Sequence, residues 1–347
     1  MVVSKLKKKN IKITSLFDLD NYINSLMKAT FKVLDVVFLR VLKLVLKEVE
    51  NLLKTHAKPD KLQTWTEINK HKRLKKMLKR VSQMASKEYS KVSKEIEEMQ
   101  HIIYSEEHNA KIFLTEKETQ KEIDFDVPSE KEIQKAIEQP IDKIKLNETL
   151  ERHRKQVIKN IQKCITEGLL KGDDYSTIAN EIMKEKYQVE PWEALYDHTK
   201  PYIENKINMA KSQALRVART ELARAKSQAL LDSAQVIKDN GLDIKKRWHA
   251  TLDTRTRHDH RTLDGQVKEL DEPFKINGCV GHAPVLFVGP NSASENINCR
   301  CTLLTFVDED ELPTSRRARD DEGKTYIIDD MTYREWEEWK KKRKASA

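Results

Sequence analysis

Trp248-His249-Ala250-Thr251-Leu252-Asp253-Thr254-Arg255-Thr256-Arg257-His258-Asp259-His260 runs on through Leu263-Asp264-Gly265 and closes on Asn298-Cys299-Arg300-Cys301-Thr302. No other stretch is as dense in side chains that carry chemistry. Of the 4 cysteines and 10 histidines in the chain, Cys279, Cys299, Cys301, His249, His258, His260 and His282 all fall between Trp248 and Cys301. Elsewhere the chain is mostly lysine-rich helix pattern. A cluster of this density either makes a site or knits together a small domain that cannot fill a core of its own.

Working outward, the chain has 347 residues, 35% charged and 6% aromatic, which suits several domains built on long solvated helices. Only 8 glycines and 9 prolines punctuate it, which again favours helix. The net charge of +9 suits an anionic partner such as nucleic acid or an acidic protein ring. Few cysteines exclude a disulfide framework and fit a reducing compartment or a metal. Met1 to Asn10 has no apolar core after its lysines and does not read as a signal peptide. The most apolar stretch, Leu34 to Leu53, is interrupted by Asp35, Arg40, Lys43, Lys47 and Glu48 at helical spacing, so it reads as amphipathic and not as a membrane span.

Apolar spacing predicts a helix from Asp18 to Leu53 and a second from Thr64 to Glu106. The second opens on a basic run, Lys70, Lys72, Arg73, Lys75, Lys76, Lys79 and Arg80, which is either a phosphate-contacting face or a solvated face of a helical pair. Ile112-Phe113-Leu114 and Ile123 to Val127 read as a hairpin or extended connector. Ser129 with Glu132 is a capping box. Helices follow from Leu146 to Leu170, from Asp173, and from Pro201 to Asn240, where Asn240-Gly241 is a stop. Ala214, Ala218, Glu221 and Ala225 share a face of that last helix, so Glu221 is expected buried against an arginine from Arg255, Arg257 or Arg300. Ile244 to Leu252, Cys301 to Val307 and Tyr326 to Ile328 read as strands, and Met331 to Lys342 as a closing helix. The fold class is therefore α+β, mostly α, with a small C-terminal α+β domain packed on the last long helix. The expected division is 1–107 helical, 108–128 connector, 129–240 helical and 241–347 α+β.

Cys299-x-Cys301 on a strand puts both sulfurs on one face with Cα atoms roughly 6.6 Å apart, near the upper limit for a mutual disulfide. Cys279-x-x-His282 supplies another ligand pair and His260 a further candidate. One structural zinc on Cys279, Cys299 and Cys301, completed by His282 or His260, is one reading. Reduced thiols packed as small hydrophobes is the other. Asp253-x-Arg255-x-Arg257 suits ion pairs that hold the domain together. His258, His260, Asp253 and Asp264 could alternatively serve a metal-dependent nuclease, though no motif supplies a general base. Trp248 reads as a core anchor and His249 as a solvated strand residue.

Arg219-Thr220-Glu221-Leu222-Ala223-Arg224-Ala225, Trp248, Asp253-x-Arg255-x-Arg257-x-x-His260, Leu263-Asp264-Gly265 and Asn298-Cys299-Arg300-Cys301 together resemble the Mu F-like minor head proteins of tailed phages, also called head morphogenesis proteins. The resemblance runs from about Glu130 to Trp339 and ends on the similar Thr332-Tyr333-Arg334-Glu335-Trp336. It implies a structural role with no catalytic residues: a few copies inside the head, in contact with the portal and with capsid or scaffold proteins, supporting assembly and DNA delivery, often touching DNA. It implies a location in the virion, with the host cytoplasm as the place of assembly. A zinc-dependent nuclease and a non-viral basic helical DNA-binding protein are the alternatives from other classes.

Overall fold

The computed structural model describes residues 13–56, 73–138, 146–163, 191–309, 312–320 and 322–345. It is mostly helical with small antiparallel sheets. The helices are α1 (Leu16–His56), α2 (Arg73–Thr119), α3 (Glu130–Glu138), α4 (146–163) and α5 (Pro191–Asp239), then the short α6 (His258–Leu263) and α7 (Ser292–Asn296), and α8 (Tyr333–Ala345). The strands are β1 (Lys245–His249), β2 (Val267–Glu269), β3 (Phe274–Ile276), β4 (Cys279–Gly281), β5 (Thr302–Phe306), β6 (Ser315–Arg319) and β7 (Thr325–Asp329). No described helix is long and apolar enough to cross a membrane. The helix expected from Asp173 lies outside the described residues.

The chain divides into two compact units that do not follow the linear order. One holds Met1–Thr30, Ile96–Lys145 and Arg216–Ala347, the other Phe31–Glu95 and Leu146–Leu215. A helix with apolar residues every three or four positions buries that stripe along its whole length. Each long helix therefore lends one part to each core, and a boundary drawn between successive helices cannot see this. The described residues of the second unit are all helical. Phe38 meets Tyr89 edge-on at 5.5 Å, and Arg40 pairs with Glu88, Lys211 with Asp35 and Arg80 with Glu48.

The first unit carries the sheets. β1 is central, with β2 and β5 antiparallel on either side and Trp248 opposite Leu303. β3 and β4 form one hairpin, β6 and β7 another. Leu230 of α5 shares a core with Trp248, Phe274, Phe287 and Leu303, with Ala223 packed against it. The small domain thus sits on the last long helix, as the periodicity predicted. Gly241, at φ +81°, stops that helix: its N–H returns to Lys238 O and that of Leu242 to Ile237 O. The Ser129 capping box forms, with Glu132 Oε2 accepting from Ser129 N at 2.8 Å.

Three local expectations are corrected. Lys111 to Thr119 is helix, not hairpin, because Lys111, Ile112, Leu114 and Thr115 are buried at helical spacing while Phe113 faces solvent. The connector begins only at Gln120, whose positive φ of 54° ends the helix. The strand from Ile244 stops at His249, because the Asp264 carboxylate takes the Ala250 N–H at 2.6 Å in place of a neighbouring strand. The last long helix starts at Pro191 and keeps Pro201 inside it.

A partly buried charge cluster ties α1, α2 and α5 together. Asp20 accepts from Lys226 at 2.8 Å and pairs with Arg317 at 3.3 Å. Glu107 is buried beside them, and burial pushes its carboxyl up to about 7, with Asp20 raising it while Lys226 and Lys111 pull it down. His249 is half-buried in the unit and not solvated; burial, then Arg316 and Arg247, keep its ring neutral. A carboxyl whose pKa is raised on folding stabilises the native state below its unfolded value, and that stability is lost as pH rises through the folded value. Between about pH 4.5 and about pH 7 the native protein should therefore lose stability at this position. Glu107→Gln is expected to flatten this slope and to gain about 3 kcal/mol over wild type above the window. Urea midpoints measured across pH test it: parallel curves for the two proteins would refute the assignment.

Candidate metal centre

Trp248 is fully buried and is the anchor of the site. Its ring meets those of Phe274 at 5.2 Å, His260 at 5.6 Å and Phe287 at 5.6 Å. Beyond β1 the chain turns tightly around Asp253. Its carboxylate accepts from Arg300 Nη1 and Nη2, from Arg255 N at 3.0 Å and from Thr256 Oγ1 at 3.1 Å. Burial pushes the Asp253 carboxyl up, but the Arg300 bonds and charge outweigh it and hold it below the usual range. Arg257 donates to Ile297 O at 2.6 Å, and Arg219 to Asn298 Oδ1, so both fasten the loop that leads into Cys299. Asn298 sits at φ 59°, a left-handed conformation that asparagine tolerates better than most residues. Thr220 Oγ1 accepts its N–H at 2.8 Å.

Asp264 is the second hub. It accepts from Ala250 N at 2.6 Å, Tyr333 N at 2.6 Å and Arg316 Nη1 at 3.1 Å. Gly265 follows at φ +81°, and a Cβ there would lie 2.7 Å from Thr332 Cγ2. Only glycine fits both the conformation and the approach.

Between these hubs lies a buried group of His260, Cys299 and Cys301, whose ligand atoms all lie within 4.8 Å of one another. His260 Nδ1 is 3.4 Å from Cys301 Sγ and 3.5 Å from Cys299 Sγ. His260 Nε2 is 2.9 Å from Glu295 Oε2. The hydrogen bond from Cys301, with His260 behind it, holds the Cys299 thiol well below the usual thiol range against its burial. Cys301 is pushed up by the same bond and by burial. Of the expected ligands, Cys279 and His282 are not in this group. Cys279 is buried with its sulfur 3.9 Å from Asn277 O, and His282 is exposed, its Nδ1 3.2 Å from Lys246 Nζ. The reason is the β3–β4 hairpin: Cys279 opens β4 toward the core, and the next turn carries His282 outward.

The other expected sites also sort out. Glu221 is not paired with Arg255, Arg257 or Arg300. It accepts from Arg224 on its own helix at 2.9 Å and from Gln100 Nε2 at 3.2 Å. Asp253 and Asp264 each hold an arginine and His258 is exposed, so the nuclease constellation is not assembled. Lys75, Lys76 and Lys79 are exposed on α2, while Arg80 is tied to Glu48 at 2.6 Å. Arg73 begins α2; Lys70 and Lys72 lie outside the described residues. Sequence reasoning missed Glu295, Asn277 and Arg316. The first two lie far along the chain from His260 and share no spacing with it. Arg316 left one trace, a charge at an inward position of the alternating strand Ser315–Arg319.

Comparison with known proteins bears directly on this architecture. The family model described as Phage Mu protein F like protein matches residues 159–304. The minor head protein GP7 of Bacillus phage SPP1 is 33% identical over 325 residues, which cover 93% of this chain and 97% of that protein. The chain belongs to the Mu F-like family of phage minor head proteins. Asp253, Arg300, Asp264, His260, Cys299 and Cys301 form the two hubs and the buried group described above, and their contacts hold the small domain together. This Mu F-like chain has a role in phage head morphogenesis. It is also 32% identical over 204 residues to the NAD(+)–arginine ADP-ribosyltransferase EFV of Enterococcus faecalis, covering 59% of this chain and 36% of that protein. Most of that enzyme therefore lies outside the match. No solved structure matches.

Proposed function

We propose that this protein is a non-enzymatic minor component of the phage head, associated with the portal inside the virion, and that it supports head assembly and DNA delivery. The host cytoplasm is where it meets its portal and its capsid or scaffold partners. The near end-to-end similarity to a minor head protein carries this reading. Two-way pull-down with the portal tests it. Retention of the protein in heads that lack a portal, at the same amount, would overturn portal association.

Contact with DNA, without sequence preference, is part of the same reading. Lys75, Lys76 and Lys79 offer exposed cations on one helix. A second group supports it: Arg216, Arg255, Arg300 and Arg319 all stand near Arg219 and, after burial, depress its pKa. Asp253 pairs with one member of this group, Arg300. A field of this sign attracts phosphates, and each neutralised phosphate adds roughly 0.9 to the salt dependence of binding. Changing Lys75, Lys76 and Lys79 together to glutamate is expected to weaken DNA binding at least tenfold and to lower the salt slope by about 2–3. Filter binding across a salt series reads both. An unchanged slope would remove α2 from the interface, and no binding by the wild type at low salt would remove DNA. A structural zinc ion in the small domain, a clip and not a catalyst, completes the reading.

A further inference from the structure

The two ring nitrogens of His260 have different partners. Nε2 faces the Glu295 carboxylate at 2.9 Å, and a carboxylate only accepts, so the ring proton sits on Nε2. In the neutral ring Nδ1 is then a bare lone pair. That lone pair faces two sulfurs at once, Cys301 at 3.4 Å and Cys299 at 3.5 Å, although it can accept from only one thiol. A tetrahedral ion accounts for the convergence. Zinc–sulfur bonds of about 2.3 Å and a zinc–nitrogen bond of about 2.0 Å at the tetrahedral angle give a nitrogen–sulfur edge of roughly 3.5 Å. Both edges observed here have that length. Glu295 is itself buried, and Asn277 Nδ2 holds its other oxygen at 3.1 Å. A carboxylate fixed behind a histidine is how proteins set the tautomer and aim of a metal ligand.

We propose that His260 Nδ1, Cys299 and Cys301 bind one zinc ion, with Glu295 as the positioning residue behind His260 and the fourth position left to a solvent molecule or an added ligand. This rests on the reading of a zinc ion in the small domain above, replaces its expected donors Cys279 and His282, and leaves one position open where the expected site was closed. The pair Cys299-x-Cys301 lies just ahead of β5 with both sulfurs near His260 Nδ1, while Arg300 between them turns away to Asp253.

The test uses the full chain. Elemental analysis of the purified protein is expected to show about one zinc per chain. Cys299→Ser, Cys301→Ser and His260→Ala should lose it, while Cys279→Ser and His282→Ala keep it. Glu295→Gln should keep the ion with roughly ten- to hundredfold weaker affinity in competition with a chromophoric chelator. If the cysteine variants do not fold, cobalt exchanged into the wild type reads the donors directly, through thiolate charge-transfer bands and the ligand-field bands of a tetrahedral ion. Zinc that survives in Cys299→Ser and Cys301→Ser but is lost from Cys279→Ser or His282→Ala would overturn this ligand set and leave a structural zinc standing. Wild-type protein that holds no zinc and takes up no cobalt would overturn both, and would leave an imidazole Nδ1 that accepts from one of the two thiols.

Discussion

Asp264→Ala is expected to destabilise the C-terminal part of the chain by about 3–5 kcal/mol, the cost of leaving a buried charge unpaired. Arg316 has no route to water: its side chain is 1% exposed and that of Asp264 is 0% exposed. The same carboxylate holds Ala250 N and Tyr333 N, so alanine also orphans backbone donors at the end of β1 and the start of α8. Asp330, 3.8 Å from Arg316 Nε, keeps some charge balance and places the effect in the lower half of that range. Asp264→Asn retains the shape and removes the charge, so its cost should be intermediate. Equilibrium urea unfolding of the three proteins measures this. Equal midpoints for wild type and Asp264→Ala would show that Arg316 reaches solvent or another anion, and the buried pair would lose its assigned weight.

Trp248→Ala should cost about 3–5 kcal/mol, as truncation of a large buried aromatic does when its neighbours cannot collapse. The indole meets Phe274, Phe287 and His260, and Leu230 of α5 shares its core. Its removal loosens the sheet from the helix and the imidazole from its aim. Trp248→Phe keeps most of the contact and should cost less than half as much. Amide exchange separates local from global effects. Faster exchange is expected in β1, β5 and α6, with the all-helical unit unchanged. Uniform acceleration through both units would contradict the assignment of Trp248 to the small domain's core.

Much of this was legible along the chain. The stripe Leu19, Ile23, Leu26 in α1 is buried as its spacing demands, the Ser129–Glu132 cap forms, and Asn240-Gly241 ends α5. These features obey rules that act within a few residues, so a sequence states them directly. Ile112-Phe113-Leu114 is ambiguous in sequence because a short apolar run suits strand and helix equally, and the burial of Lys111 and Ile112, with Lys111 Nζ on Thr305 O at 2.6 Å, selects helix.

Pairings across long separations were a different matter. The sequence by itself determined that the region around Trp248 and Cys301 would be a small α+β domain on a long helix, and that its acids and arginines would pair. Which acid meets which arginine was decided by the tertiary structure: Asp253 with Arg300, Asp264 with Arg316, and Glu221 with Arg224. So was the choice among histidines. His260 reaches Cys299 and Cys301 because α6 packs beneath Trp248, while His282 follows the β3–β4 hairpin outward. The physical reason is that composition and spacing fix what a segment can do alone, whereas a partner many residues away is chosen by how the chain returns to close a common core.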